Sequence, residues 1–215
     1  MLRCINRLVE PSSGHIRLPM GLITGNGGGT LVDVVSLKQS ELRRLRRKIG
    51  MVFQQFNIVK RLSVIENVLS GGLGYQSPLR STLRSFTRNE KRKALTNLKR
   101  VGLLDHAYRR ADELSGGEQQ RVAIARTLMQ EPALILADEP VSSLDPKLSG
   151  VVLDILKRVC QEDGITALVS LHTLELTREY AARVVGLRNG QICFDGTPGE
   201  LTRPVVEAIY HNELR

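Results

Sequence analysis

The 215-residue sequence contains no tryptophan, and aromatic residues make up only 4% of it. That scarcity removes the stacking platforms on which single-stranded nucleic acid is usually held. No apolar run approaches the roughly 20 residues a membrane-spanning helix needs; the longest, residues 133–137 among them, are strand-sized. Arg3, Asn6 and Arg7 interrupt the first residues, so no signal peptide is expected there. The three cysteines, Cys4, Cys160 and Cys193, are scattered and form no Cys-x-x-Cys pair. They are expected to be reduced packing residues of a cytosolic protein. Lysine is missing from the most glycine-rich stretch, Thr-Gly-Asn-Gly-Gly-Gly-Thr at 24–30. A phosphate-binding Gly-x-x-x-x-Gly-Lys-Ser/Thr loop needs that lysine to reach the terminal phosphates, so a hairpin turn without phosphate is expected instead.

What is present fits an ordinary soluble domain: 41% hydrophobic and 25% charged residues, in a chain long enough to bury a sizeable core. The net charge of +9 favours an anionic partner, whether nucleotide, lipid headgroup or nucleic acid.

The first half of the chain opens with helical spacing at Leu2, Ile5 and Leu8, closed by Pro11-Ser-Ser-Gly14. A short strand is expected at 15–18. Residues 41–48 carry Arg43, Arg44, Arg46, Arg47 and Lys48, a run that reads first as the solvated face of a helix. A strand follows at 49–53, then Gln54, which alone would be a polar loop residue. Arg80, Arg84 and Arg88 recur at helical spacing before Lys91, Arg92 and Lys93. That face is read as solvated, with docking beside anionic headgroups as the alternative.

The centre of the chain is residues 114–145. Leu-Ser-Gly-Gly-Glu opens a helix that stops at Glu131-Pro132, and the apolar run after it ends in Asp138 and Glu139. Ser115 and Glu118 have capping-box spacing. The same residues suit a phosphate, since Gly116 and Gly117 permit close backbone approach and free N–H groups at a helix start favour negative charge. A lone strand-end Asp is usually a loop cap, but two adjacent carboxylates repel and call for a nearby cation.

Asp145-Pro146 then opens a helix, with Asp145 as cap and Pro146 at the first helical position. Leu148, Val151, Val152, Ile155, Leu156 and Val159 form its apolar stripe, and Asp163-Gly164 ends it. A buried strand is expected at 165–171, with His172 at its end, then a helix to about Ala182. Asn189-Gly190 between two apolar runs signals a hairpin, and a short surface helix is expected in the tail. This strand–helix alternation predicts a parallel sheet with helices on its faces. Ligands bind off the carboxyl ends of such strands, where Asp138, Glu139 and His172 fall.

Leu-Ser-Gly-Gly-Glu-Gln-Gln-Arg followed by Leu-Ile-Leu-Ala-Asp-Glu-Pro and Ser-Ser-Leu-Asp resembles the ATP-binding subunits of ABC transporters. The likeness extends from Leu2 to about Leu201, and residues 53–79 are most similar to the ATPases of phosphonate importers. It implies an α/β P-loop NTPase with a parallel sheet core and a helical subdomain. Residues 1–58 would be a remnant of the core and antiparallel subdomain, 59–113 the helical subdomain, and 114–215 the second half of the core. Leu-Arg-Cys-Ile-Asn-Arg-Leu is similar to the segment directly after the P-loop, so the chain is expected to be N-terminally truncated inside that helix, without its Walker A loop and the strand before it.

The resemblance also implies roles. ATP would contact Ser115, Gly116, Gly117, Glu118, Gln54 and Asp145. Asp138 and Gln54 would hold Mg²⁺, Glu139 would be the general base, and His172 would contact the γ-phosphate. The partners implied are a second ATPase subunit, membrane permease subunits and, indirectly, a substrate-binding protein, at the cytoplasmic face of a bacterial inner membrane. No nucleic acid is expected. The alternatives are a non-catalytic regulatory subunit and, on charge alone, a nucleic-acid-handling ATPase of the same family.

Overall fold

The computed structural model describes residues 1–24, 29–76 and 85–210. It divides into two units, Met1–Ser170 and Leu171–Arg215.

The first unit is built on three parallel strands, β3 (Ile49–Val52), β4 (Leu134–Asp138) and β5 (Thr166–Ser170), in the order β3-β4-β5. Met51 pairs with Leu136, Leu136 with Leu168, and Asp138 with Ser170. β4 is central, and its Leu134, Ile135, Leu136 and Ala137 are all buried. An unbroken apolar run is what a strand covered on both faces requires. β5 departs from the expectation of a buried strand: Leu168 is 42% exposed. No further strand pairs with it among the described residues, so its outer edge and part of its face meet solvent.

Before the sheet come α1 (Leu2–Ile5), β1 (Arg17–Pro19), the single turn α2 (Gly21–Thr24), β2 (Leu31–Asp33) and α3 (Gln39–Lys48). α1 is shorter than the predicted 2–8 because Arg7 has φ 51°, a left-handed conformation that ends a helix. β1 and β2 pair antiparallel, with the N–H of Met20 donating to Thr30 O. The connection between them is thus a reversal, but residues 25–28 of the predicted turn lie outside the described residues. In α3, Leu42 and Leu45 are buried and the arginines occupy the remaining surface.

A second layer holds α4 (Val64–Ser70), α5 (Arg88–Arg100) and α6 (Gly116–Leu128), which pack on one another. Ser63 caps α4 and Thr87 caps α5, each with a glutamate three residues on in a capping box. α6 also packs on β3 and on α7 (Pro146–Asp163), so it is buried nearly all round. Arg80 and Arg84 of the predicted basic face lie outside the described residues. In α7, Asp145 Oδ1 accepts the Leu148 N–H at 3.0 Å, Pro146 takes the first turn, and Gly164 ends it at φ 64°. Its stripe is buried from Val152 onward, but Val151 is 42% exposed.

The second unit is the hairpin β6 (Val184–Arg188) and β7 (Gln191–Gly196) with α8 (Leu174–Tyr180) and α9 (Arg203–Tyr210). Asn189 and Gly190 both have positive φ, 51° and 78°, as a two-residue hairpin turn requires. α9 packs on both strands, and Arg183 forks onto Asp195 at 2.7 and 2.8 Å.

Candidate nucleotide site

Three loops leave the carboxyl ends of β3, β4 and β5, and the candidate residues of the first unit lie in or beside two of them. Asp138 is the last residue of β4, and its register partner is Ser170. Asp138 Oδ2 accepts the Arg3 Nε–H at 2.8 Å. Ser170 Oγ has two acceptors within reach of its one proton, Asp138 Oδ1 at 3.4 Å and Ala137 O at 3.5 Å.

Glu139 follows with φ 50°, a left-handed conformation that costs a non-glycine residue free energy. Both of its backbone groups are held. Its N–H donates to Ser170 Oγ at 2.8 Å, and its carbonyl accepts from the N–H and hydroxyl of Ser142 at 3.3 and 3.1 Å. Pro140 next in line disfavours the ordinary right-handed alternative. The backbone at Glu139 is therefore set by its neighbours rather than by its own preference. This is how strained conformations persist at reactive sites.

The Gly-rich start of α6 is arranged as the sequence predicts. Glu118 Oε2 accepts from the Ser115 N–H at 2.9 Å and from its hydroxyl at 2.7 Å. The Ser115 hydroxyl holds the Glu118 carboxyl below the usual carboxylate range, against the opposing effect of burial. The packing is close here: a Cβ on Gly117 would lie 3.3 Å from Leu148 Cδ1, so the Leu148 side chain would have to give slightly.

Gln54 is exposed just past β3. The loop that carries it is tethered to α6 by two polar side chains, the buried Gln120 and the half-buried Arg126, whose contacts the sequence did not indicate. Gln120 Nε2 donates to Pro140 O at 2.6 Å and to Phe53 O at 3.4 Å, joining the Gln54 loop to the segment after Glu139. The Arg126 guanidinium donates to the carbonyls of Phe56 and Asn57. The signal for Arg126 was its position within the mostly apolar run 122–128, where a polar side chain has to find a partner.

The structure brings Asp138, Glu139 and Ser170 together and sets Gln54 at the neighbouring strand end. Asp145 is spent on the α7 cap. His172 is an exposed residue of the second unit.

The protein groups do not fit a divalent cation as they stand. Arg3 occupies Asp138 Oδ2, and the described residues contain no group of three His, Cys, Asp or Glu side chains able to hold a metal.

A parallel sheet with an acidic pair off its central strand, and a helix that opens on Ser-Gly-Gly-Glu packed on the neighbouring strand, is the framework of a nucleotide-hydrolysing α/β cassette. A family model described as "ABC transporter" matches residues 1–142. The chain belongs to the ABC transporter family, as an ATPase subunit. It is 50% identical over 209 residues to the phosphonates import ATP-binding protein PhnC 2 of Halalkalibacterium halodurans, covering 97% of this chain and 81% of that protein. It is 48% identical over 213 residues to the phosphonates import ATP-binding protein PhnC of Nitratidesulfovibrio vulgaris, covering 99% and 76%. Among solved structures it is similar to the dimeric ATP-binding cassette MJ0796 bound to ADP and Pi. The TM-score is 0.73 with 32% identity over 92% of this chain and 79% of that one. It is also similar to cbiO1 from Clostridium perfringens, with TM-score 0.73 and 25% identity over 99% of this chain and 77% of that one.

Proposed function

We propose that this chain is the ATP-hydrolysing subunit of an importer for phosphonates, acting as one half of an ATPase dimer against permease subunits at the cytoplasmic face of the inner membrane. The substrate class is supported by the names of relatives at about half identity over nearly the whole chain. The dimer is supported by the dimeric MJ0796 structures.

The observation that carries the site is the clamped Glu139. In this reading its carboxylate takes a proton from the attacking water. Gln54 and His172 orient that water and the γ-phosphate. Ser115, Gly116, Gly117 and the start of α6 face the nucleotide of the other subunit, where N–H groups favour anions, and Asp145 stands at the subunit boundary. Residues 59–113 serve as the helical subdomain, and the Gln120 and Arg126 tethers carry movement between the Gln54 loop and α6.

The 215 residues contain no Gly-x-x-x-x-Gly-Lys-Ser/Thr sequence. The backbone nest and lysine of that loop neutralise the β- and γ-phosphates. A polypeptide of these residues alone is therefore expected to hydrolyse ATP poorly, and in a dimer it would complete its partner's site. A regulatory, non-catalytic role is the second reading, favoured by the Arg3 guanidinium standing on Asp138.

Two assays test the proposal. The first is growth on a phosphonate as sole phosphorus source, in a strain whose importer ATPase is replaced by this chain with and without an intact homologue. No growth in either case removes the import reading. The second is ATP turnover of the purified chain against Glu139→Gln, and turnover well above that control removes the impairment.

A further inference from the structure

We infer that His106 is a positioning residue for the Ser-Gly-Gly-Glu turn: its imidazole anchors Glu118, and Glu118 in turn sets the direction of Ser115. The inference rests on the proposed reading of that turn as the part of this chain that faces the other subunit's nucleotide.

One carboxylate makes the connection. Glu118 Oε2 accepts the amide and the hydroxyl of Ser115, at 2.9 and 2.7 Å. Its other oxygen, Oε1, lies 3.4 Å from His106 Nδ1. The last torsion of a glutamate is a broad two-fold rotor, so one anchored oxygen does not fix the plane of the carboxylate. His106 supplies the second anchor.

The imidazole stands on fixed backbone. His106 ends the short turn Leu104–His106, between the buried Leu103 and Ala107. Its N–H donates to Leu103 O at 3.1 Å, and its carbonyl accepts the Arg109 N–H at 3.0 Å. The carbonyls of Ala107 and Arg109 accept the N–H groups of Ile65 and Val64, which pins this segment to the start of α4.

Charge decides how the ring meets the carboxylate. Nδ1 is buried and has no hydrogen-bond partner within bonding geometry. A bare Nδ1 lone pair would oppose the lone pairs of Oε1, whereas a proton on Nδ1 makes the contact attractive, most strongly in the imidazolium. The Ser115 hydroxyl is the main cause that holds the Glu118 carboxyl low, and His106 and Arg121 draw it lower still. Arg121 is occupied by the carbonyls of Val101 and Gly102, and Asp105 is the acidic neighbour of His106 in its own turn. Of these four side-chain types, histidine is the one that ordinarily changes charge between about pH 5 and 8. As the pH rises through that range the ion pair is lost and Glu118 is left with Ser115 alone. The side chains of His106 and Glu118 are 31% and 23% exposed. A pair this open to water is modest, so the effect sought is about two- to fivefold.

The test has two readouts. The first is the amide resonance of Ser115 in the 215-residue chain, followed by nuclear magnetic resonance from about pH 5.5 to 8. It is expected to move with pH in the wild type and to stay nearly still in His106→Gln and in Glu118→Gln. Equal movement in all three, or movement in none, would overturn the proposal. The second is ATP turnover of a mixed dimer with an intact homologue, compared between the wild-type chain and His106→Gln. The wild-type chain is expected to be about two- to fivefold faster near pH 6 and equal near pH 8, with His106→Lys, charged throughout, keeping its advantage at both. A ratio that does not change with pH would overturn the positioning role. Gly116→Asp then separates the two failures: if it abolishes turnover, the turn faces nucleotide without help from His106, and if it does not, the reading of the turn falls as well. If circular dichroism shows that His106→Gln does not fold, wild type against Glu118→Gln decides by the same two readouts.

Discussion

Ser170 Oγ accepts the N–H of Glu139 at 2.8 Å, from the strand beside the one that Glu139 follows. This bond joins β5 to the one left-handed residue of the acidic pair. Ser170→Ala removes the acceptor of a partly buried N–H, and is expected to cost about 1–2 kcal/mol in denaturant unfolding. Glu139→Asn keeps the backbone groups and suits positive φ better. It is expected to be neutral or slightly stabilising, by less than about 1 kcal/mol. If Ser170→Ala is neutral while Glu139→Asn is strongly destabilising, the clamp is not what holds this turn.

The tether of the Gln54 loop depends on how closely two helices approach. A Cβ on Gly71 would lie 2.0 Å from the carbonyl oxygen of Arg126, which is backbone and cannot swing aside. Gly71→Ala is therefore expected to force α4 from α6 and destabilise the chain by about 1–3 kcal/mol. The shift also moves Arg126 off the carbonyls of Phe56 and Asn57, so amide hydrogen exchange should quicken at residues 53–58. A melting temperature equal to that of the unaltered chain would show that the helices do not pack this way.

The cysteines give a pH test. Burial, with Asp163 nearby, pushes the Cys160 thiol up to about 11, whereas Cys193 is exposed on β7. A raised pKa keeps the thiol protonated and unreactive until the pH approaches that value. At pH 8 a thiol reagent is expected to label Cys193 within minutes and Cys160 only when the chain opens. Equal rates for the two at pH 8 would contradict the burial of α7.

The parts legible in the sequence are those that local chemistry decides. Asp145-Pro146 and Gly164 bound α7, Asn189-Gly190 makes the hairpin turn, and the run before Asp138 is the central strand. What was not legible depends on residues far apart. Whether β5 is covered depends on what pairs with its outer edge, and an apolar period cannot say, so the exposure of Leu168 was missed. Arg3 and Asp138 meet across 135 residues, and no spacing rule connects them. Gln54, Ser115, Asp138 and Glu139 were named from motif order. Ser170 and Arg126, which help set the backbone beneath them, belong to no motif reading, and Gln120, although inside the Leu-Ser-Gly-Gly-Glu-Gln-Gln-Arg run, shows its tether only in the packing.

The proposed dimer makes a prediction that separates the two halves of the chain. In the head-to-tail arrangement the family resemblance implies, each site takes its phosphate loop and acidic pair from one subunit and its Ser-Gly-Gly-Glu segment from the other. Two copies of this polypeptide would then make two sites, each without a phosphate loop. Paired with an intact homologue, the chain would offer Ser115–Glu118 to the partner's phosphate loop and so complete one site. The opposite site would hold Asp138 and Glu139 of this chain without a loop. Gly116→Asp is the sharper probe. A Cβ there meets Leu144 Cδ2 at 3.4 Å and Phe56 Cζ at 3.5 Å, ordinary contacts that leave the fold intact. The new carboxylate repels the phosphate, and ATPase activity of the mixed dimer is expected to fall at least about tenfold. Glu139→Gln in this chain is expected to change it less than twofold, because the complete site uses the partner's acid. Loss of activity on Glu139→Gln, or indifference to Gly116→Asp, would mean that the active site of the mixed dimer is assembled from the other halves.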